Sequence, residues 1–300
     1  MFIVKNRKFF YIFSGLLSLL SIVVIFMYGL NLGIDFKGGS LLELDFPNGR
    51  PDITTIKEEV AAIITNEPSI IPSGESGYFI RMRSLSEPEH QAVLEAISGN
   101  DKIQVEEIQF NSIGPVLGNE SARNSLVSIV LVIVAILSYI AFAFRKVSEP
   151  VSSWKYGIIA IISLIHNILL PTGIFVVLGH FNPTVEIDTL FVTALLVVLG
   201  FSVHDNIVVF DRVRENLKYN KKSSFEETVG DSINQTLARS INTSLTTIFA
   251  LVVLYFVGGE ATRNFTLALL IGITAGTYSS ICLGSPLLVT AERLQGPKKR

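Results

Sequence analysis

Cysteine is nearly absent from this chain: Cys282 is the single thiol among 300 residues. One cysteine inside an apolar stretch excludes a disulfide framework and leaves the redox compartment open. The four histidines form no zinc ligand set, and no glycine-rich phosphate loop is present, so neither a metal nor a cofactor is expected. Charge is scarce as well. Asp, Glu, Lys and Arg make up 17% of the residues and nearly cancel, leaving a net charge of −2; nothing in that pattern suggests a nucleic-acid partner. Apolar side chains take the remaining space, at 49% of residues and a mean hydropathy of +0.50. This is the composition of a polytopic membrane protein.

Six stretches are long and apolar enough to cross a bilayer, at residues 9–30, 125–144, 154–178, 189–210, 237–257 and 265–289. The first follows Lys5, Arg7 and Lys8 as a secretory signal would, but it is too long for an ordinary signal core. The residues after it, Met27-Tyr-Gly-Leu-Asn-Leu, make a poor cleavage site, so it reads as a retained anchor. Basic residues mark one side of the membrane: the N-terminus, Arg145, Lys146 and Lys155, then Arg212, Arg214, Lys218, Lys221, Lys222 and Arg239, and finally Arg293, Lys298, Lys299 and Arg300. The short loops facing the other way carry Arg263. Both termini are therefore expected to be cytoplasmic and residues 31–124 outside.

The fourth stretch carries Asp205. From 189 to 210 it is apolar apart from Thr193, Ser202, His204, Asp205 and Asn206. At about 1.5 Å per residue the carboxylate lies roughly 9 Å inside one end of a helix. An ionised carboxylate at that depth costs a few kcal/mol, so a partner, a cavity or a proton path is expected beside it.

The outside segment alternates and turns like a small α+β domain. Strands are expected at 41–46, 69–71, 78–83 and 103–110, and helices from Asp52 or Thr54 to about Thr65 and over 87–97. The order βαββαβ is that of the ferredoxin-like sandwich, a fold that hosts many functions. His90 stands alone in it and is expected to face solvent. The segment 221–231, with Phe225 and Val229 among charges, reads as a short interfacial helix.

Several motifs occur together: Gly33-Ile-Asp-Phe-Lys-Gly-Gly-Ser40, Asn111-Ser-Ile-Gly-Pro-Val-Leu-Gly118, the run from Gly200 to Asn216 around Ser-Val-His-Asp-Asn, the run from Asn234 to Thr247, and Gly276-Thr-Tyr-Ser-Ser280. In this order they resemble the SecF family, the smaller subunits of the bacterial SecD–SecF protein-export complex. The resemblance implies a six-span membrane half of the RND superfamily type in the plasma (inner) membrane, with a periplasmic domain after the first span. The expected domains are 1–32 (cytoplasmic N-terminus and first span), 33–122 (periplasmic, ferredoxin-like) and 123–300 (five spans and a cytoplasmic C-terminus). It also implies a non-enzymatic subunit that acts with SecD beside the SecYEG channel, after or alongside SecA. There it uses the proton motive force to promote export of preproteins, with other membrane insertion factors as further partners.

By the same resemblance Asp205 and Arg239 are tied to proton conduction. Desolvation and a nearby guanidinium would act on the carboxyl's proton affinity in opposite directions, and Arg239 would remain a fixed cation. Arg239 also reads as a positive anchor at a span end. The resemblance implies Asn or His before the carboxylate and Ser or Thr after it; His204 fits that pattern and Asn206 departs from it, and His204 is expected to tune the pH dependence of Asp205. Ser240, Asn242, Thr243, Ser244, Thr246 and Thr247 make half of the fifth span polar, as a hydrated interior would require. His166, midway along the third span, is a candidate for the same cavity or for an interhelical hydrogen bond. Gly272, Gly276, Ser280 and Gly284 form a small-residue stripe suited to close helix packing. Gly33, Gly38 and Gly39, around Asp35, suggest a tight turn or a hinge. Two other accounts fit the residues: a proton-driven small-molecule or lipid exporter of RND type, and an intramembrane hydrolase using Asp205 with His204 or His166. A single buried aspartate and the absence of a serine nucleophile motif count against the hydrolase.

Overall fold

The computed structural model describes residues 2–64, 67–99, 103–145, 151–219 and 223–294. Of the residues invoked above, Thr65, Lys146, Lys221, Lys222, Lys298, Lys299 and Arg300 lie outside the described residues. In chain order the elements are α1 (Phe2–Lys5), α2 (Arg7–Tyr28), α3 (Ile34–Lys37), β1 (Gly39–Asp45), α4 (Ile53–Ala61), β2 (Ser69–Ser73), β3 (Gly77–Met82), α5 (Glu87–Ser98) and β4 (Glu106–Ile113). Then come α6 (Pro115–Ala143), α7 (Ser153–Phe181), α8 (Thr189–Tyr219), α9 (Phe225–Val257), α10 (Glu260–Ser279), a π-helical turn (Ser280–Gly284) and α11 (Ser285–Arg293). Among the described residues six helical stretches have the length and apolarity to cross a membrane: α2, α6, α7, α8, α9, and α10 continued through the π turn into α11.

The elements gather into two units. One comprises Met1–Leu30, Val127–Phe181 and Leu190–Arg300; the other comprises Asn31–Leu126 together with Asn182–Thr189.

In the second unit four antiparallel strands form a sheet in the order β2-β3-β1-β4. Alternation along β1 and β3 turns Leu42, Leu44, Tyr78, Ile80 and Met82 inward, where they meet Ile56 and Val60 of α4 and Val93 and Ile97 of α5. Asp52 starts α4 by accepting the Thr54 N–H at 2.8 Å, and Glu89 accepts the Ser86 N–H at 2.8 Å to start α5. β4 begins three residues later than expected and runs to Ile113, because the motif residues Asn111–Ile113 continue the ladder opposite Gly39–Leu41. His90 does not face solvent. It is 4% exposed, stacked on Phe110 at 3.7 Å, because the helical period places residues 90, 93 and 97 on the face that covers the sheet.

In the helical unit Tyr156, Phe144 and Phe210 pack as a stacked and T-shaped trio, with ring centroids 5.2–6.1 Å apart. Val229 is buried in the same core. The segment around it is not a separate interfacial helix. Ser224 caps α9 and the helix runs unbroken to Val257. α10 changes to a π turn before Pro286. Proline has no N–H to give the carbonyl four residues back, and the ladder slips by one there.

Candidate functional site

Asp205 lies on the buried face of α8 with Val198, Ser202, Asn206 and Val209. It is 2% exposed, and among the described residues its Oδ2 has no hydrogen-bond partner. Ser202 Oγ and both amide atoms of Asn206 are also unpaired. From α9, the buried Ser240 lies against the carboxyl without closing a hydrogen bond to it. Buried polar atoms left open in this way are costly. Here they converge on one seam of a membrane helix.

Arg239 is the residue before Ser240. It is exposed and lines an open groove of about 360 Å³ with Asp211, Arg212, Glu215, Gln235 and Thr236. Among the described residues no ion pair joins it to Asp205. One step along a helix is about 100° of rotation, so Arg239 stands beside the seam while Ser240 faces into it. His204 is exposed on α8 next to the carboxylate.

Below this point the two motif runs are stitched together. Arg212 Nε donates to Gln235 Oε1 at 2.6 Å, and Asn216 Nδ2 donates to Ser232 Oγ and Gln235 Oε1, both at 2.9 Å. Further along α9, Asn242, Thr243 and Thr246 are exposed, and Thr246 returns its hydroxyl proton to the Thr243 carbonyl at 2.8 Å. His166 has different surroundings. It is buried, and its Nδ1 lies 3.3 Å from Ser18 Oγ of α2. The structure therefore does not gather His166 with the polar residues of α9.

The small-residue stripe of α10 lies along α8. A Cβ on Gly272 would strike Val198, one on Gly276 would strike Ser202, and one on Gly284 would fall 2.8 Å from Asn206 Oδ1 and from Ser163 Oγ. The partners Val198, Ser202 and Asn206 recur every four residues, so two rows of the same period interlock.

In the sheet unit, Gly33 and Gly38 bracket the single turn α3. Gly38 and Gly39 adopt φ of +75° and +125°, and a Cβ on Gly38 would lie 2.8 Å from Pro115 Cα. Asp35 Oδ2 accepts the Thr189 N–H at 3.0 Å, the first N–H of α8.

Three features escaped the sequence reading. Ser14, Ser18 and Ser21 form a stripe at i, i+4 and i+7 on α2; Ser14 bonds Tyr278 at 2.9 Å and Ser18 meets His166. Their spacing was the available signal. The π turn was foreshadowed by Pro286 alone. Glu186, whose carboxylate pairs with Arg81 at 2.5 Å, gave no local signal.

Two family models match the chain: the C-terminal model of the SecD/SecF protein export membrane proteins over residues 92–294, and the SecD/SecF GG motif over residues 23–46. The chain is 46% identical to a protein translocase subunit SecF of Thermobaculum terrenum, over 97% of this chain and 93% of that protein. It is 32% identical to a protein translocase subunit SecDF of Brucella abortus, over 87% of this chain but 33% of that longer protein. The crystal structure of SecDF from Thermus thermophilus, a translocon-associated membrane protein, superposes with a TM-score of 0.82 at 30% identity. The match covers 97% of this chain and 38% of that one.

Proposed function

The chain belongs to the SecD/SecF family of protein-export membrane proteins, and we propose that within Sec-mediated export it is a proton-driven SecF subunit acting with SecD. As a multi-pass membrane protein it supplies six candidate spans. A SecD partner contributes the other half, as the fused relative and the SecDF structure suggest. The basic loops favour cytoplasmic termini in the plasma (inner) membrane. Residues 33–122 then form a periplasmic domain, and the strand order β2-β3-β1-β4 with two helices supports a ferredoxin-like reading of it. Residues 1–32 and 123–300 make up the membrane part.

The observation that carries this reading is the Asp205 carboxyl, buried at membrane depth with an open oxygen atom. Its ionised form needs water or a cation there; its neutral form does not. Gain and loss of a proton therefore change what the seam between α8 and α9 must supply. Arg239, exposed one residue from Ser240, is the cation this reading assigns to the path, and His204, the residue before Asp205, tunes its pH dependence. A proton crossing 100 mV releases about 2.3 kcal/mol, enough over a few protons to bias the periplasmic domain between two orientations and hinder a preprotein from sliding back beside SecYEG. The role is non-enzymatic.

The test is export into vesicles carrying an imposed proton gradient. Wild type should respond to the gradient, while Asp205→Asn and Arg239→Met should export only at the gradient-independent rate. A gradient response in both variants equal to wild type would sink the proposal.

A further inference from the structure

Asn167 of α7 and Asn206 of α8 play no part in the reading above. Both are fully buried, as are Ser163 of α7 and Ser202 of α8. Ser163 and Asn167 are spaced four residues apart, and so are Ser202 and Asn206, so each helix turns one polar edge inward. The two edges meet over the bare backbone of α10. The place a Cβ would take on Gly276 is filled by Ser202 Oγ, with Asn167 Nδ2 3.8 Å away. The corresponding place on Gly284 lies 2.8 Å from both Asn206 Oδ1 and Ser163 Oγ. The polar atoms there are open. Among the described residues Nδ2 and Oδ1 of both asparagines, and Ser202 Oγ, have no hydrogen-bond partner. Ser163 gives its proton to the Ile159 carbonyl at 3.3 Å, so at Gly284 two accepting oxygens converge with no donor between them.

We propose that this seam between α7, α8 and α10 is a binding site for internal water, bridging Asn206 and Ser163 beside Gly284 and bridging Asn167 and Ser202 beside Gly276. Water is the ligand whose chemistry fits. Each amide brings two N–H donors and an accepting oxygen, and a molecule that both donates and accepts satisfies them together; a buried water makes about three such bonds. A metal cation does not fit. The four side chains carry no formal charge, and Asn167 turns an N–H donor, not an oxygen, toward the Gly276 position. An apolar solute would leave every one of these atoms open. Turning over the Asn206 amide would bring Nδ2 to Ser163, yet Oδ1 and all of Asn167 and Ser202 would still lack partners. Rotation alone does not close the seam.

The site borders Asp205 without including it. Ser202 stands one turn before the carboxylate on the buried face of α8, and Asn206 follows it directly. The inference goes beyond the proton-driven reading and does not rest on it. Neutral amides and hydroxyls hold the water, so it stays in place whether Asp205 carries its proton or not.

Solid-state NMR on the full chain in lipid bilayers tests this, read as early magnetisation transfer from water to the side-chain amides of Asn167 and Asn206. In the wild type both amides should receive it, while the backbone amides of Phe175 and Ala194, buried in the same two helices, should not. Gly284→Ala sets a methyl between Asn206 and Ser163 and should remove most of the transfer at Asn206, while Asn167 keeps its own. Asp205→Asn should change neither. Missing transfer at one or both amides in the wild type, its loss at either in Asp205→Asn, or undiminished transfer at Asn206 in Gly284→Ala would each overturn the proposal. The wild-type measurement decides by itself should a variant fail to fold. No gradient or export enters it, so its failure is separable from failure of the Asp205 reading.

Discussion

Gly173 of α7 and Ser21 of α2 approach so closely that a Cβ on the glycine would lie 2.6 Å from both the Cβ and the hydroxyl oxygen of the serine. Ser21 has turned its hydroxyl back to the Leu17 carbonyl at 3.0 Å, so the contact is one of shape. Gly173→Leu should force the helices apart and cost about 1–3 kcal/mol. Thermal unfolding in detergent should show the drop, and Gly15→Leu, where a Cβ meets nothing, should show little.

The interlocked rows of α10 and α8 make a second prediction. Gly276→Val drives a branched side chain into Ser202 and Asn167. It should destabilise the fold by a similar few kcal/mol and disturb the seam beside Asp205. Gly200→Val on the same helix pair is the control, since open space surrounds that glycine.

Gly38→Ala tests the junction turn. The φ of +75° strains any side chain, by about 1–3 kcal/mol, and the new methyl meets the Pro115 backbone. Exchange protection of the amides in β1 and β4 should fall, while that of α4 should fall less.

Glu226 receives Arg7 at 2.8 Å and also pairs with Arg293. The two arginines differ in burial, with side chains 13% and 59% exposed. Arg7 also donates to the Val4 carbonyl at 2.9 Å, so Arg7→Met should cost about 1–3 kcal/mol. Arg293→Met should cost under about 1 kcal/mol and vanish in high salt. Equal costs for the two would contradict the bridging geometry.

At Glu89 the pH dependence has the ordinary carboxylate sign. The Arg83 guanidinium first, then the Ser86 N–H and hydroxyl, hold the carboxyl down at about 2. A depressed value gives stability that is present above the usual carboxylate range and lost as pH falls toward 2. Amides at the start of α5 should therefore lose protection in acid, and Glu89→Gln should remove that part of the loss.

Much of this was legible along the chain. The six spans announced themselves because a helix crossing hydrocarbon must be apolar over about 20 residues. The strands of the small sheet were legible because alternation records which face is buried. Asp205 stood out because a charge is costly where its neighbours are lipid-like. His90 was misread, since a lone polar residue in a short amphipathic helix does not reveal that Phe110, twenty residues later, will stack on it.

By itself the sequence determined the number of spans, the place of the carboxylate and the family, because each is a property of composition or of motif order. The tertiary structure alone decided which small residues face one another, that Ser240 and not Arg239 turns toward Asp205, and that Ile187, just before α8, makes backbone hydrogen bonds to Asn31 and Gly33. Those are distances between residues far apart in the chain, and they follow from helix rotation and ladder register that no local pattern encodes.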